Sequence, residues 1–84
     1  MRPTNSPHVG KLVAFDIVPE LPPGVLATNV APMEIHGQIV GAYEYLGGIM
    51  YEIYDIHTGT VYRISKLAVK GQVIPTHKVV PLDG

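Results

Sequence analysis

GQIVGAYEYLGGIMYEIYDIHTGTVYRISKL, residues Gly37 to Leu67, is the stretch on which the fold turns. Apolar and aromatic residues alternate with polar ones through it, and two glycine-bearing breaks, Gly47-Gly48 and His57-Thr58-Gly59, divide it into three strands. Alternation with a period of two is what a strand requires when one face is buried and the other is wet. Gly47-Gly48 is expected to supply the positive φ of a two-residue hairpin turn, and Gly59 the left-handed residue of a second short loop. Gly37 and Gly41 sit inside the first of these strands, where glycine marks a bulge or a sharp bend.

Working outward, that strand is expected to begin near Met33 and to run to Tyr45. The next spans Ile49 to Ile56, with Ile49, Tyr51 and Ile53 on one face and Met50, Glu52, Tyr54 and Ile56 on the other; the third covers Thr60 to Ser65. Upstream, KLVAFDIV (Lys11 to Val18) reads as a strand ended by Pro19, which cannot donate to a ladder. Pro19 to Pro32 holds four prolines and Gly24, a composition for a long loop with a short strand at Val25 to Thr28. Downstream, Ser65 to Val69 is expected to make one helical turn, and Val73 to Val80 a last strand interrupted at Pro75. Residues 1–9, with Pro3, Pro7, Asn5 and Ser6, read as a flexible arm, which leaves 10–84 as the folded domain. About five short strands, a Pro-rich loop after the first and glycine-marked bends predict an all-β protein, a small SH3-like antiparallel barrel. An OB-fold needs longer strands and a helix that are hard to place here.

Composition narrows the function classes. Eighty-four residues make one domain. A chain of this size buries only roughly 60–65% of its unfolded surface, so a lone core is marginal. With no cysteine, disulfides and thiolate zinc sites are excluded as staples, which points to a homo-oligomer. A net charge of −1 announces neither nucleic acid nor an anionic membrane. No apolar stretch has the length of a membrane span, and MRPTNSPHVG lacks the apolar core of a signal peptide, so a cytoplasmic protein without membrane contact is expected.

The segment GQIVGAY, Gly37 to Tyr43, resembles the corresponding strand of the type II, plasmid-borne dihydrofolate reductases, and Tyr51 and Gly59-Thr60-Val61 extend the likeness. It covers about a third of the chain. The resemblance implies an SH3-like barrel that assembles around a pore, and a small-molecule or nucleotide-binding oligomer as one function. It also hints at an accessory protein of a mobile element, such as a phage, a plasmid or a gene cassette. In that family a Val-Gln-Ile-Tyr strand lines the pore and binds cofactor and substrate. Here the matching run is Val61-Tyr62-Arg63-Ile64; of the residues near that site only Tyr43 is retained, so no reductase activity and no cofactor are expected.

Three constellations remain as candidate sites. Glu34/His36 and Asp55/His57 are carboxylate-x-histidine pairs that share a strand face and offer an oxygen and a nitrogen to one metal ion if the pairs meet. The bland reading, solvated strand ends, is the expectation. Arg63, Lys66, Lys70 and Lys78 gather cations in the C-terminal part, and Tyr62 beside Arg63 would add a base-stacking ring to a nucleic-acid surface. Tyr43, Tyr45, Tyr51, Tyr54 and Tyr62 crowd the central strands, where most tyrosines pack. Tyrosine is also a good interface anchor, bulky with a polar tip. The favoured expectation is a non-enzymatic binding or assembly module that meets a protein partner through Tyr43, Tyr45, Tyr54, Tyr62 and Arg63, with the Pro19 to Pro23 loop beside them.

Overall fold

The computed structural model describes residues 2–18, 21–24, 26, 31–76 and 78–82. The strands are β1 (Arg2–Pro3), β2 (Leu12–Ile17), β3 (Met33–Tyr45), β4 (Gly48–Tyr54), β5 (Val61–Ser65), β6 (Val69–Val73) and β7 (Val79–Val80), with a 3-10 turn, Lys66–Ala68, between β5 and β6. All seven belong to one antiparallel sheet in the order β5-β4-β3-β2-β6-β7, and β1 pairs separately with β3. The all-β class is thus as expected. Closure is not: β5 and β7, the two ends of the path, do not pair, so the sheet is an open roll rather than a barrel.

The roll turns on β3. Its first half pairs with β2, from Met33↔Ile17 to Gln38↔Leu12, and its second half pairs with β4, from Gln38↔Tyr54 to Tyr45↔Gly48. The register slips between Ile39 and Gly41, which is the bulge that Gly41 signalled. Gly37 lies at the crossover; a Cβ there would come within 2.6 Å of Ile53 Cγ2 and 2.8 Å of the Tyr54 carbonyl oxygen. Only glycine lets the two layers approach so closely. Bent in this way, the sheet encloses Val13, Phe15, Ile39, Ala42, Tyr51 and Ile53. The ring of Tyr62 on β5 meets Phe15 on β2 edge-on at 5.3 Å between centroids, although β4 and β3 lie between those strands in the sheet path.

Two turns close the central meander. β3 and β4 are joined through Leu46 (φ 49°) and Gly47 (φ 80°), not through Gly47-Gly48. The pairs Glu44↔Ile49 and Tyr45↔Gly48 place Gly48 in the ladder and force the leucine into the first central position of the turn. Positive φ at both central residues is the type I′ signature, which favours Asn-Gly. Leu46 is strained there and 90% exposed. Leu46→Asn is therefore expected to stabilise the protein by about 1 kcal/mol, read as a higher urea midpoint with unchanged slope.

The second loop behaves as expected. Gly59 takes φ 75°, its N–H donates to the Asp55 carbonyl, and the Asp55 N–H donates to the Thr60 carbonyl. The helical turn after Ser65 is present as the 3-10 turn, with the Ser65 hydroxyl accepting from the Leu67 N–H. The last strand begins earlier than expected, at Val69, and Pro75 splits the remainder into β6 and β7. The segment expected to be an arm lies along the sheet. Arg2–Pro3 pairs with Tyr43 and Glu44, the Thr4 N–H donates to the Ala42 carbonyl, and His8 is buried with its ring edge-on to Tyr51. The short strand expected at Val25 to Thr28 falls largely outside the described residues. Among the described residues no helix is long and apolar enough to cross a membrane.

Candidate functional site

The outer face of β3, β4 and β5 collects most of the tyrosines singled out in the sequence. On β4, residues Gly48, Met50, Glu52 and Tyr54 share one face by alternation, opposite the buried Tyr51 and Ile53. Across the ladders Met50 lies beside Tyr43 and Ser65, Glu52 beside Gly41 and Arg63, and Tyr54 beside Gln38 and Val61. Tyr43, Tyr45, Tyr54 and Arg63 therefore stand on the same side. They form a stripe along β4 with Tyr43 and Tyr45 at one end, Tyr54 at the other and an ion pair in the middle. Met50 to Tyr54 alone spans ~13 Å at the usual rise of an extended strand. Arg63 Nε lies 3.6 Å from Glu52 Oε1, and the Arg63 side chain keeps most of its surface in solvent.

Tyr62 does not belong to this stripe. It follows Val61 and precedes Arg63, so its side chain points to the opposite face, where it packs on Phe15. The aromatic-plus-basic pair Tyr62-Arg63 is thus divided between the two faces of β5. Pro19 of the expected bordering loop lies outside the described residues.

The cations do not assemble into one surface either. Lys70 sits between two carboxylates, 3.0 Å from Asp16 Oδ1 and 2.7 Å from Glu34 Oε2, on the far side of the sheet path from Arg63. The Glu34 carboxylate, followed by that of Asp16, raises the Lys70 pKa above its ordinary value. Lys66 is on the 3-10 turn, and Lys78 lies just before β7, its carbonyl accepting from the Ile74 N–H.

The two carboxylate-histidine pairs do come together. Glu34, His36, Asp55 and His57 line a single depression of about 360 Å³. Their oxygens are already engaged, however. Glu34 accepts from Lys70 and, at 2.7 Å, from His36 Nε2; its pKa is lowered by Lys70 first and His36 second. Asp55, 3% exposed, caps its own turn, accepting from the His57 N–H at 2.9 Å and from the Thr58 hydroxyl at 3.0 Å. Among the described residues no three His, Asp or Glu side chains are grouped to hold a metal ion.

A feature missed in the sequence adjoins this depression. Leu12, Ile56, Val73, Ile74 and Pro75 form an apolar groove of about 490 Å³, with His36, His57 and Gln72 also in its wall. Its residues come from widely separated parts of the chain, so no local pattern marks it.

Asp55 yields a pH prediction. The His57 N–H, then the Thr58 hydroxyl, stabilise its ionised form and hold its pKa below the ordinary 3.8. A depressed carboxylate contributes stability that is complete above the unfolded-state value and is lost as pH falls through the folded-state value. Asp55→Asn is expected to flatten the acid limb of the stability curve below about pH 4, leaving its shape between pH 5 and 7 unchanged, as measured by urea melts across that range.

No protein-family model matches this chain, and comparison with curated proteins and with solved structures finds no significant match.

Proposed function

We propose that this protein is a non-enzymatic binding module that receives a segment of a partner protein along the outer stripe of β3, β4 and β5. The observation that carries it is the gathering of Tyr43, Tyr45, Tyr54 and Arg63 on one sheet face, from three strands. Each end of the stripe offers a ring with a polar tip. The centre offers a guanidinium held to the Glu52 carboxylate only by a long contact of 3.6 Å. Tyr and Arg are, with Trp, the residues enriched where binding energy concentrates. Arg63 suits a carboxylate better than Glu52 alone satisfies it, because a guanidinium can bind a second oxygen pair. The ligand chemistry that fits is an extended segment with apolar residues near its two ends and an acidic residue between them.

The division of Tyr62 from Arg63 changes the variant that tests this. Tyr54→Ala with Arg63→Ala removes the face without touching the core. Peptides selected from a random displayed library against the native protein are expected to lose on the order of tenfold to hundredfold in affinity for this double variant. Selected peptides that bind the native protein and the variant equally would place recognition elsewhere.

A further inference from the structure

We propose that β5 is a self-pairing edge through which two copies of this chain join in an antiparallel, two-fold dimer with Tyr62 opposite Tyr62. This stands on the sheet edges and does not depend on the partner proposed for the outer stripe.

Among the described residues β5 pairs with β4 along its whole length and with no strand on its other side. The C-terminal part of β3 is paired by β4 on one side and met by β1 on the other, and the opposite end of the sheet is β7, only two residues long. β5 has five residues, pairs on one side with β4 without a register shift, and contains neither proline nor glycine. Soluble proteins ordinarily blunt such an edge with proline, a bulge, inward charges or a covering loop.

The hydrogen-bond parity says which groups are on offer. The Asp55 N–H donates to the Thr60 carbonyl, so, counting along an unbroken antiparallel ladder, Tyr62 and Ile64 exchange bonds with β4. Val61, Arg63 and Ser65 then point their N–H and C=O groups away from the sheet. Unpaired groups in that row are a template for a further strand.

The side chains choose the occupant and the register. A two-fold pairing centred on Arg63 would set like charges directly opposite, which is unfavourable. Centring on Ile64 engages Ser65, which already caps the 3-10 turn where the chain leaves the strand. Centring on Tyr62 avoids both. Val61 then faces Arg63 of the second copy in both directions, and the aliphatic stem of the arginine covers a valine that is otherwise exposed. The two Tyr62 rings meet as a non-hydrogen-bonded pair, the closer kind, on the face where Tyr62 and Ile64 are only partly buried against the core. A second copy thus extends the core as well as the ladder, which suits a small domain with no cysteine to staple it.

The native chain is expected to show twice its 9.1 kDa mass in light scattering on a sizing column, dissociating on dilution. Val61→Pro removes an outward N–H and no bond to β4, so it is expected to halve that mass while the far-ultraviolet spectrum stays native. A native chain that remains monomeric up to millimolar concentration overturns the proposal, as does a folded Val61→Pro variant that remains dimeric. Should that variant fail to fold, Tyr62→Cys decides. The chain has no other thiol, and the two introduced thiols, facing each other across such a pair, lie within disulfide reach. Mild oxidation is expected to yield covalent dimer well above a Lys78→Cys control, and equal yields from the two overturn the pairing.

Discussion

Phe15→Ala is expected to cost about 3–5 kcal/mol, the range for truncating a fully buried aromatic side chain. Phe15 has no exposed surface, sits in the core with Val13, Ile39, Ala42, Tyr51 and Ile53, and carries the edge-on contact with Tyr62 that ties β5 to β2. Those strands are not neighbours in the sheet, so Phe15 is one of the groups that keep the open roll curled. A domain of 84 residues has a total stability of roughly 4–13 kcal/mol. With no disulfide to supplement it, the loss would take away much of the whole. The check is a urea melt, with a large fall in midpoint. Phe15→Leu, which keeps most of the volume, should cost less than about 1.5 kcal/mol. Tyr54→Ala, at an exposed position on the outer stripe, should stay within about 0.5 kcal/mol of the native protein. That contrast separates rings that hold the fold from rings free to bind.

The same contrast explains what the sequence could and could not disclose. β3 was legible with its full bounds, Met33 to Tyr45, because alternation and two internal glycines describe a bent, half-buried strand whatever its partners. The faces of β4 were legible for the same reason, Tyr51 and Ile53 inward and Tyr54 outward. The period of two also separates Tyr62 from Arg63, a division that reading them as neighbours in sequence obscures. The turn was displaced by one residue because glycine preference is local whereas register is not: Glu44↔Ile49 and its neighbouring pairs override the better turn residues and leave a strained leucine. The start of β6 was hidden because Val69-Lys70-Gly71-Gln72 carries little alternation, and its partner is β2, more than fifty residues earlier. Long-range pairing also governs the candidate sites. Glu34 and His36 look available for a metal ion in sequence; Lys70, 36 residues beyond Glu34, occupies the carboxylate. His8 gave no apolar signal in a polar, Pro-containing segment, yet it is 4% exposed, and neither ring nitrogen has a hydrogen-bond partner among the described residues.

Gly71→Ala should be comparably damaging to loss of the Phe15 ring, and for a different reason. Gly71 has φ 156°, a backbone conformation that residues with a side chain rarely adopt. It pairs with Ala14 on β2 beside a register shift between Ala14 and Phe15, and its neighbour Gln72 pairs with Val80 on β7. A Cβ at this position would fall 1.9 Å from the Val80 carbonyl oxygen and 2.6 Å from its carbon. Those atoms are backbone, so no side-chain rotation relieves the overlap. Either β7 leaves β6, uncovering Val73 and withdrawing Leu82 from the core, or β6 shifts against β2. Each is a broken ladder added to an unfavourable backbone conformation, a combined loss of about 3 kcal/mol or more. The expected result is a large fall in the urea midpoint together with rapid amide exchange at residues 79 and 80. Loss of protection confined to β7, with β2 and β6 still protected, would show the strand yielding alone. Native stability in Gly71→Ala would mean that β7 does not cross over Gly71 as described. Gly37→Ala offers the milder comparison, because its closest contact is the Ile53 side chain, which can shift, even though the Tyr54 carbonyl beside it cannot. The difference between the two variants measures how much of each glycine's role is set by rigid backbone.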